Sequence, residues 1–281
     1  MKTINFMGQR KLAFAFSVLV LIASIASLAT RQLNWGLDFT GGTLVELHYS
    51  ATADLNAIRG TLQAEGYERA VVVSFGSDQD VLIRLPDGYS DEQGTAMLGL
   101  LEEAFEGEVA LRRMEFVGPQ VGDELREQGG LAMLLALGLV TLYIAFRFQL
   151  KFAIGAVAAL AHDVIITLGF FSLTGMEFNL TVLAAVLAVI GYSINDTIVV
   201  FDRIRENFRK LRKAEPAETI DISVTETLAR TLVTSATTLM VVVALALFGG
   251  EMIFGFAVAL IVGVTIGTYS SIYVASATAL A

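Results

Sequence analysis

Residues 181–213 read TVLAAVLAVIGYSINDTIVVFDRIRENFRKLRK, and this stretch decides the class of fold. It begins with a run of about twenty mainly apolar residues, the length that crosses a hydrocarbon core about 30 Å thick. Asn195 and Asp196 lie inside the run, and six basic residues follow it between Arg203 and Lys213. Because a carboxylate inside a spanning helix is costly, Asp196 is a candidate functional residue.

The composition is also that of a membrane protein. Hydrophobic residues make up 55% of the chain and charged residues 17%, which is more apolar than a typical soluble domain. The chain has no cysteine, so disulfides and thiolate metal sites are excluded. Nucleic-acid binding is also excluded, because the one basic cluster adjoins a membrane helix instead of forming a basic surface.

Six apolar runs predict six transmembrane helices. The first, Leu12–Thr30, exceeds the 7–15 residues of a typical signal-peptide core, so an uncleaved anchor is favoured over a cleavable signal peptide. The other five predicted spans are Gly130–Phe148, Phe152–Leu173, Leu180–Asp202, Leu228–Phe248 and Ile253–Ala275.

The distribution of charge predicts the topology. Basic residues lie before the first span and in the linker 203–227, so both termini and this linker are expected in the cytoplasm and residues 32–128 outside. The predicted division is therefore 1–31 (N-terminus and helix 1), 32–128 (exported domain) and 129–281 (helices 2–6). Since a helix that ends in the cytoplasm usually meets basic residues there, we expect a basic tail to follow Ala281 in the natural protein.

The exported insert predicts a small α+β domain. Its strands and helices follow the order βαββαβ, that of the ferredoxin-like fold, over Thr43–Tyr49, Ala53–Glu65, Ala70–Phe75, Asp80–Leu85, Asp91–Phe105 and Val109–Phe116. His48 stands alone and no nucleophile–base spacing is present, so we expect no enzyme activity. The insert holds 18 of the 28 acidic residues. Its acidic surface either keeps the domain soluble or forms a docking face for a polypeptide.

The intramembrane polar residues form three groups. His162 and Asp163 lie near the middle of the third span, Asn195 and Asp196 in the fourth, and Arg230 opens the fifth. At about 1.5 Å per residue Arg230 lies within reach of Asp196, which predicts a pair. The alternatives are a snorkelling arginine and a structural helix–helix hydrogen bond of the aspartate. The hydroxyl residues after Arg230 are interpreted as helix-packing residues.

Such a pair would have a simple chemistry. Burial favours the neutral form of a carboxyl group, and a nearby arginine favours the anion. A motion that joins and separates the two groups would therefore release and take up a proton. A single histidine beside acids is a poor ligand set for a transition metal, so no metal and no cofactor is predicted. Sodium stays open as a coupling ion, because carboxylate, amide and hydroxyl oxygens can bind it.

Four motifs carry a resemblance to a known family. They are DFTGGT at 38–43, AHDVI at 161–165, the segment 191–207 and ARTLVTS at 229–235. Together they resemble the SecF branch of the SecD/SecF family of bacterial protein-export membrane subunits, over essentially the whole chain. The glycines Gly41 and Gly42, with Asp38, belong to the first motif. A second glycine segment, Gly118, Pro119 and Gly122, is interpreted as a hinge or rigid turn, with a plain connector of the exported domain as the alternative.

The resemblance implies a fold, partners and a mechanism. The family belongs to the resistance-nodulation-division superfamily, whose members use twelve helices in two similar halves, so the six helices here would be one half. SecD would supply the other half, and the pair would associate with the SecYEG channel, with YajC and with a preprotein in transit in the bacterial inner membrane. The proton motive force would drive late steps of export. The family's proton-relay residues fall on Asp196 and Arg230, with Asp163 and His162 as secondary positions toward the partner interface.

Two other functions stay open at this point. An exporter half for small molecules or lipids would want a larger exported domain with an apolar pocket, whereas the insert has about 95 residues, a size at which a domain's own core takes up most of its apolar side chains. A scaffold that only stabilises SecD would have no need of Arg230. The basic segment Arg203–Lys213 serves as a topological anchor and also fits anionic membrane lipid.

Overall fold

The computed structural model describes residues 3–85, 91–105, 107–148 and 150–280. They form two compact units, one made of the chain up to Asn34 together with the chain from Leu131 onward, and the other of Trp35–Gly130. In chain order the elements are a 3-10 turn (Met7–Gln9), α1 (Arg10–Thr30), β1 (Asn34–Trp35), α2 (Leu37–Thr40), β2 (Gly42–Tyr49), α3 (Leu55–Ala64), β3 (Val71–Phe75), β4 (Ser77–Leu85), α4 (Asp91–Ala104), β5 (Val109–Val117), α5 (Pro119–Arg147), α6 (Leu150–Thr174), β6 (Glu177–Phe178), α7 (Leu180–Lys210), α8 (Pro216–Phe248), α9 (Glu251–Ser270), a π-helical segment (Ser271–Ala275) and α10 (Ser276–Leu280).

Six helices of the described chain are long and apolar enough to cross a membrane, which confirms the predicted polytopic helical fold. Three helices extend beyond their predicted spans, because hydropathy marks only the part inside the hydrocarbon. Helix α5 begins at Pro119, α7 continues to Lys210 and α8 begins at Pro216. The predicted basic linker is therefore mostly helical. Outside the apolar run, Asn207 of α7 donates to Ser223 of α8 at 3.0 Å and ties the two extensions together.

Helices α6 and α7 form the centre of the helical unit. In the most apolar window of α6, 61% of the residues are buried, against 11% in α5. Small residues bring the helices close together, as is common in membranes. A Cβ on Gly169 of α6 would lie 2.3 Å from Cβ of Ser24 in α1, and one on Gly263 of α9 would lie 2.1 Å from a methyl group of Val189 in α7. These contacts set α1 closely against α6 and α9 closely against α7.

The second unit has the predicted ferredoxin-like arrangement. Its sheet has the strand order β3-β4-β2-β5, and every neighbouring pair is antiparallel. Helices α3 and α4 contribute Ile58, Leu62, Met97 and Leu101 to a core that the inward side chains of β2 and β4 complete. Asp54 caps α3 by accepting from the backbone nitrogens of Asn56 and Ala57.

The prediction that His48 stands alone is wrong. His48 lies opposite Asp80 in the β2–β4 register, and its Nδ1 is 2.6 Å from Oδ1 of Asp80. Ser77 donates to Oδ2 of the same carboxylate at 2.5 Å. The pairing depends on strand register, which the spacing along the chain does not reveal.

The two glycine motifs meet within the second unit. Gly41 and Gly42 adopt φ of +69° and +119°, backbone angles that favour glycine. A Cβ on Gly122 would lie 2.8 Å from the backbone nitrogen of Gly41, and one on Gly41 would lie 3.0 Å from Cα of Pro119. Pro119 opens α5, a favourable place for proline. The second segment is thus a helix start packed on the first motif, which fits a rigid turn better than a free connector. Asp38 is half-buried on α2 beside it.

Gly122→Ala tests this contact. We expect it to lower the free energy of unfolding by about 1–3 kcal/mol, because backbone atoms of 39–41 would have to shift. Gly118→Ala is the matched control, since a Cβ there would meet nothing within 4 Å. Thermal unfolding of the purified protein in detergent measures both variants, and equal unfolding temperatures would contradict the contact.

The Asp80 cluster predicts a pH dependence. The hydrogen bond from Ser77, and then that from His48, hold the pKa of Asp80 below its ordinary value of 3.8. The carboxylate therefore stabilises the fold above pH 3.8, and this contribution is lost as the pH falls through the lowered pKa. We expect Asp80→Asn to lower the thermal unfolding temperature at neutral pH and to have a shrinking effect in stronger acid.

The control for that measurement is Asp78→Asn, which removes an exposed acid from the same hairpin. A deficit of Asp80→Asn that stays constant down to strong acid, or that Asp78→Asn reproduces, would contradict the assignment.

Candidate functional site

The carboxylate of Asp196 is held by two hydroxyl groups. Helix α7 places Asp196 at a half-buried position that faces α8 and α9. Oδ1 accepts a hydrogen bond from Thr231 of α8, and Oδ2 accepts one from Ser271 at the start of the π-helical segment, each at 2.6 Å. Three helical elements thus converge on one acid.

A second carboxylate lies deeper in the same bundle. Asp163 of α6 is 1% exposed. Its Oδ2 accepts from Ser193 of α7 at 2.6 Å and from Ser270 of α9 at 2.7 Å. Its Oδ1 lies 2.9 Å from Nδ1 of His162. Gly267 of α9 lies close to Ser193, because a Cβ there would lie 3.2 Å from Cβ of Ser193.

Two consecutive serines link the acids. Ser270 ends α9 and donates to Asp163, and Ser271 opens the π-helical segment and donates to Asp196. The hydroxyl of Ser276 donates to the carbonyl oxygen of Ser271 at 3.0 Å, across the wider turn. Short π-helical segments inside α-helices are frequent at functional sites. Here adjacent hydroxyls serve carboxylates on two different helices.

Further hydroxyls continue the polar seam between α7, α8 and α9. Ser235 of α8 lies 2.6 Å from the hydroxyl of Thr268 in α9 and accepts from Tyr192 of α7 at 3.0 Å. The interpretation of the fifth-span hydroxyls as packing residues therefore holds for Ser235 but is incomplete for Thr231, which binds the acid directly.

The predicted Asp196–Arg230 pair is not joined in this structure. Arg230 is exposed on α8, and the ion pairs of the described residues include none between it and Asp196. The neighbouring Thr231 takes the contact instead. Asn195 is likewise exposed, on the outer side of α7. The pair stays a prediction, for an arrangement other than this one.

The expectation that His162 and Asp163 face a partner is wrong. They are 4% and 1% exposed, inside the bundle of this chain, because α6 is its central helix. The predictions missed Ser270, Ser271 and Thr231 as acid-binding residues. The only available signal was a pair of adjacent serines in an apolar span, and isolated hydroxyls are common in such helices.

An ionised carboxylate is costly in hydrocarbon, and hydroxyl donors offset the cost only in part. Asp196 has two neutral donors, and the described ion pairs give it no cation. An acid in this setting is a candidate functional residue.

Two family models match the chain. The model for the C-terminal part of the protein export membrane proteins SecD/SecF covers residues 98–281, and that of the SecD/SecF GG motif covers residues 26–53, which include Gly41 and Gly42. The chain belongs to the SecD/SecF family. It is 56% identical to the protein translocase subunit SecF of Vibrio alginolyticus, over 99% of this chain and 90% of that one.

Solved structures of SecDF share the fold. The crystal structure of SecDF from Thermus thermophilus, a translocon-associated membrane protein, is 39% identical with a TM-score of 0.90 over 99% of this chain. A SecDF structure in a super-membrane-facing form has the same identity and a TM-score of 0.75 over the whole chain. This SecD/SecF chain spans 38% and 39% of the length of those two.

Proposed function

We propose that this protein is the SecF-type subunit of the bacterial protein-export machinery and couples inward proton movement to late steps of preprotein export. One observation carries the proton-coupled part: Asp196 is an intramembrane acid bound by hydroxyls from two other helical elements, with an exposed arginine next to one of those hydroxyls. The acid can thus exchange a neutral partner, Thr231, for a charged one, Arg230.

The proposed cycle has two arrangements. In the first, Asp196 carries the proton and Arg230 is apart from it. Thr231 donates to one carboxyl oxygen, and Ser271 accepts the carboxyl O–H while it donates to the carbonyl oxygen of Thr268, which lies 3.0 Å away. In the second, α8 moves against α7, Arg230 replaces Thr231 and the proton leaves. About 2.3 kcal/mol per charge for each 100 mV, and about 1.4 kcal/mol for each pH unit, suffice to bias two states a few kcal/mol apart.

Differences among the relatives support a cycle of this kind. Two SecDF structures equally identical to this chain match it with TM-scores of 0.90 and 0.75, so they differ from each other in conformation. One of them is described as a super-membrane-facing form.

The SecDF chain is longer than the part of it that this chain matches, and this indicates a partner. Since the chain spans 38% of the SecDF chain, SecD is the proposed partner that completes the unit. SecYEG, YajC and the preprotein are further proposed partners, and the basic residues of 203–213 are proposed to contact anionic lipid.

We place the protein in the inner membrane with both termini in the cytoplasm, and propose the exported domain at 32–128 between membrane parts 1–31 and 129–281. The subunit is proposed to have no enzyme activity of its own.

Asp196→Asn tests the function. The variant keeps an acceptor oxygen for one hydroxyl and an NH2 group that can donate to the other, but it loses the proton site. We therefore expect assembly with SecD to be intact and proton-stimulated export to fall to the level without a gradient. Export into membrane vesicles that contain the full complex measures this. Asp202→Asn is the matched control: it removes an aspartate of the same helix that forms an exposed ion pair with Arg147.

Arg230→Met separates coupling from a scaffold role in the same assay. A scaffold needs only the assembled complex, so normal export by this variant, or by Asp196→Asn, would contradict the proposal.

A further inference from the structure

His162 has an unused nitrogen in the centre of the bundle. The residue is 4% exposed, and its Nε2 is buried without a hydrogen-bond partner. Its Nδ1 is engaged with Asp163 at 2.9 Å. Buried polar atoms normally have a partner, so an orphaned nitrogen calls for an explanation.

The hydrogen bonds of Asp163 show what the nitrogen can bind. Ser193 and Ser270 both donate to Oδ2, and Nδ1–H of His162 can donate to Oδ1, an arrangement that holds the carboxylate as an anion. The neutral imidazole then has its proton on Nδ1, and Nε2 carries a bare lone pair. In this form the two side chains have a net charge of −1 at a place that excludes water.

The surroundings do not neutralise this charge. The titratable groups on the helices packed against α6 are Tyr192, Asp196 and the charged residues of 202–210 on α7, Glu251 and Tyr269 on α9, Tyr273 on the π-helical segment, and the exposed Arg10 and Lys11 in the first turn of α1. Helix α10 has none. The described ion pairs link no lysine or arginine to either side chain of the pair.

Tyr269 lies beside the histidine, but its hydroxyl group has hydrogen-bond partners other than His162. Its ring is 6.2 Å from the imidazole, and its hydroxyl donates to the carbonyl oxygen of Ala13 at 2.7 Å and lies 3.0 Å from Ser17. It therefore shields the imidazole and leaves Nε2 free.

We propose that the His162–Asp163 pair is a second proton-binding site of the membrane bundle, with the proton on Nε2 of His162. Proton binding forms one N–H bond and takes the net charge of the pair from −1 to zero. Ser270 and Ser271 connect this site to Asp196, because consecutive hydroxyls bind the two carboxylates. The existence of the site is independent of the proposed function, whereas its use in coupling rests on that function.

The chain has only two histidines, so the site can be observed directly. The experiment is nitrogen NMR of the protein with its partner in lipid nanodiscs, labelled with 15N-histidine in this chain alone. His48→Gln leaves a single signal set, and its amide can still donate to Asp80. As the pH falls from about 8 to about 5, we expect the remaining imidazole to change from the neutral form to the doubly protonated form.

Two variants define the result. Asp163→Asn removes the anion, so the imidazole is expected to stay neutral over the same range. Asp196→Asn leaves the pair intact, so proton uptake by His162 is expected to persist although export is lost. An imidazole that stays neutral throughout in the protein with native Asp163 overturns the second site, whether or not Asp163→Asn folds.

The two proposals fail separately. Loss of export in Asp196→Asn together with a neutral His162 overturns only the second site. Proton uptake by His162 together with normal export in Asp196→Asn overturns only the coupling role of Asp196.

Discussion

The structure depends on how two carboxylates are accommodated in a bundle that offers them no arginine or lysine among its described contacts. Asp163 and Asp196 are satisfied by hydroxyl groups from neighbouring helices. Hydroxyls provide hydrogen bonds without charge, so they offset part of the cost of burying each acid without forming an ion pair. The close glycine contacts between α7 and α9 bring these short side chains within reach.

The serine pair joins the two acids into one unit. In a regular helix, adjacent side chains point about 100° apart, and the π-helical segment at Ser271 adjusts that spacing so that each hydroxyl reaches a carboxylate. A change at either acid therefore acts on the same short stretch of backbone. Thr231, beside Arg230, is the contact through which a movement of α8 would alter Asp196. In the proposed function, the bundle links protonation to helix position through hydrogen bonds of neutral groups.

The sequence predicts the elements well because their signals are local. Apolar runs define the six spans, and the alternation in 43–49 and 80–85 defines the strands that pair in the sheet. The contacts of the site are not local: Ser271 meets Asp196 across 75 positions, and the His48–Asp80 pair depends on strand register. Depth arithmetic predicted Arg230 near Asp196, and the residue next to it, Thr231, contacts the acid. Such arithmetic cannot tell which of two adjacent residues faces α7.

The most direct test of the central claim is export into vesicles that contain the full complex, with the proton and sodium gradients collapsed separately. If hydroxyl-held Asp196 carries a proton, collapse of the proton gradient alone should remove the gradient-stimulated part of export, and collapse of the sodium gradient alone should leave it unchanged. Export that survives loss of the proton gradient and fails on loss of the sodium gradient would contradict the account.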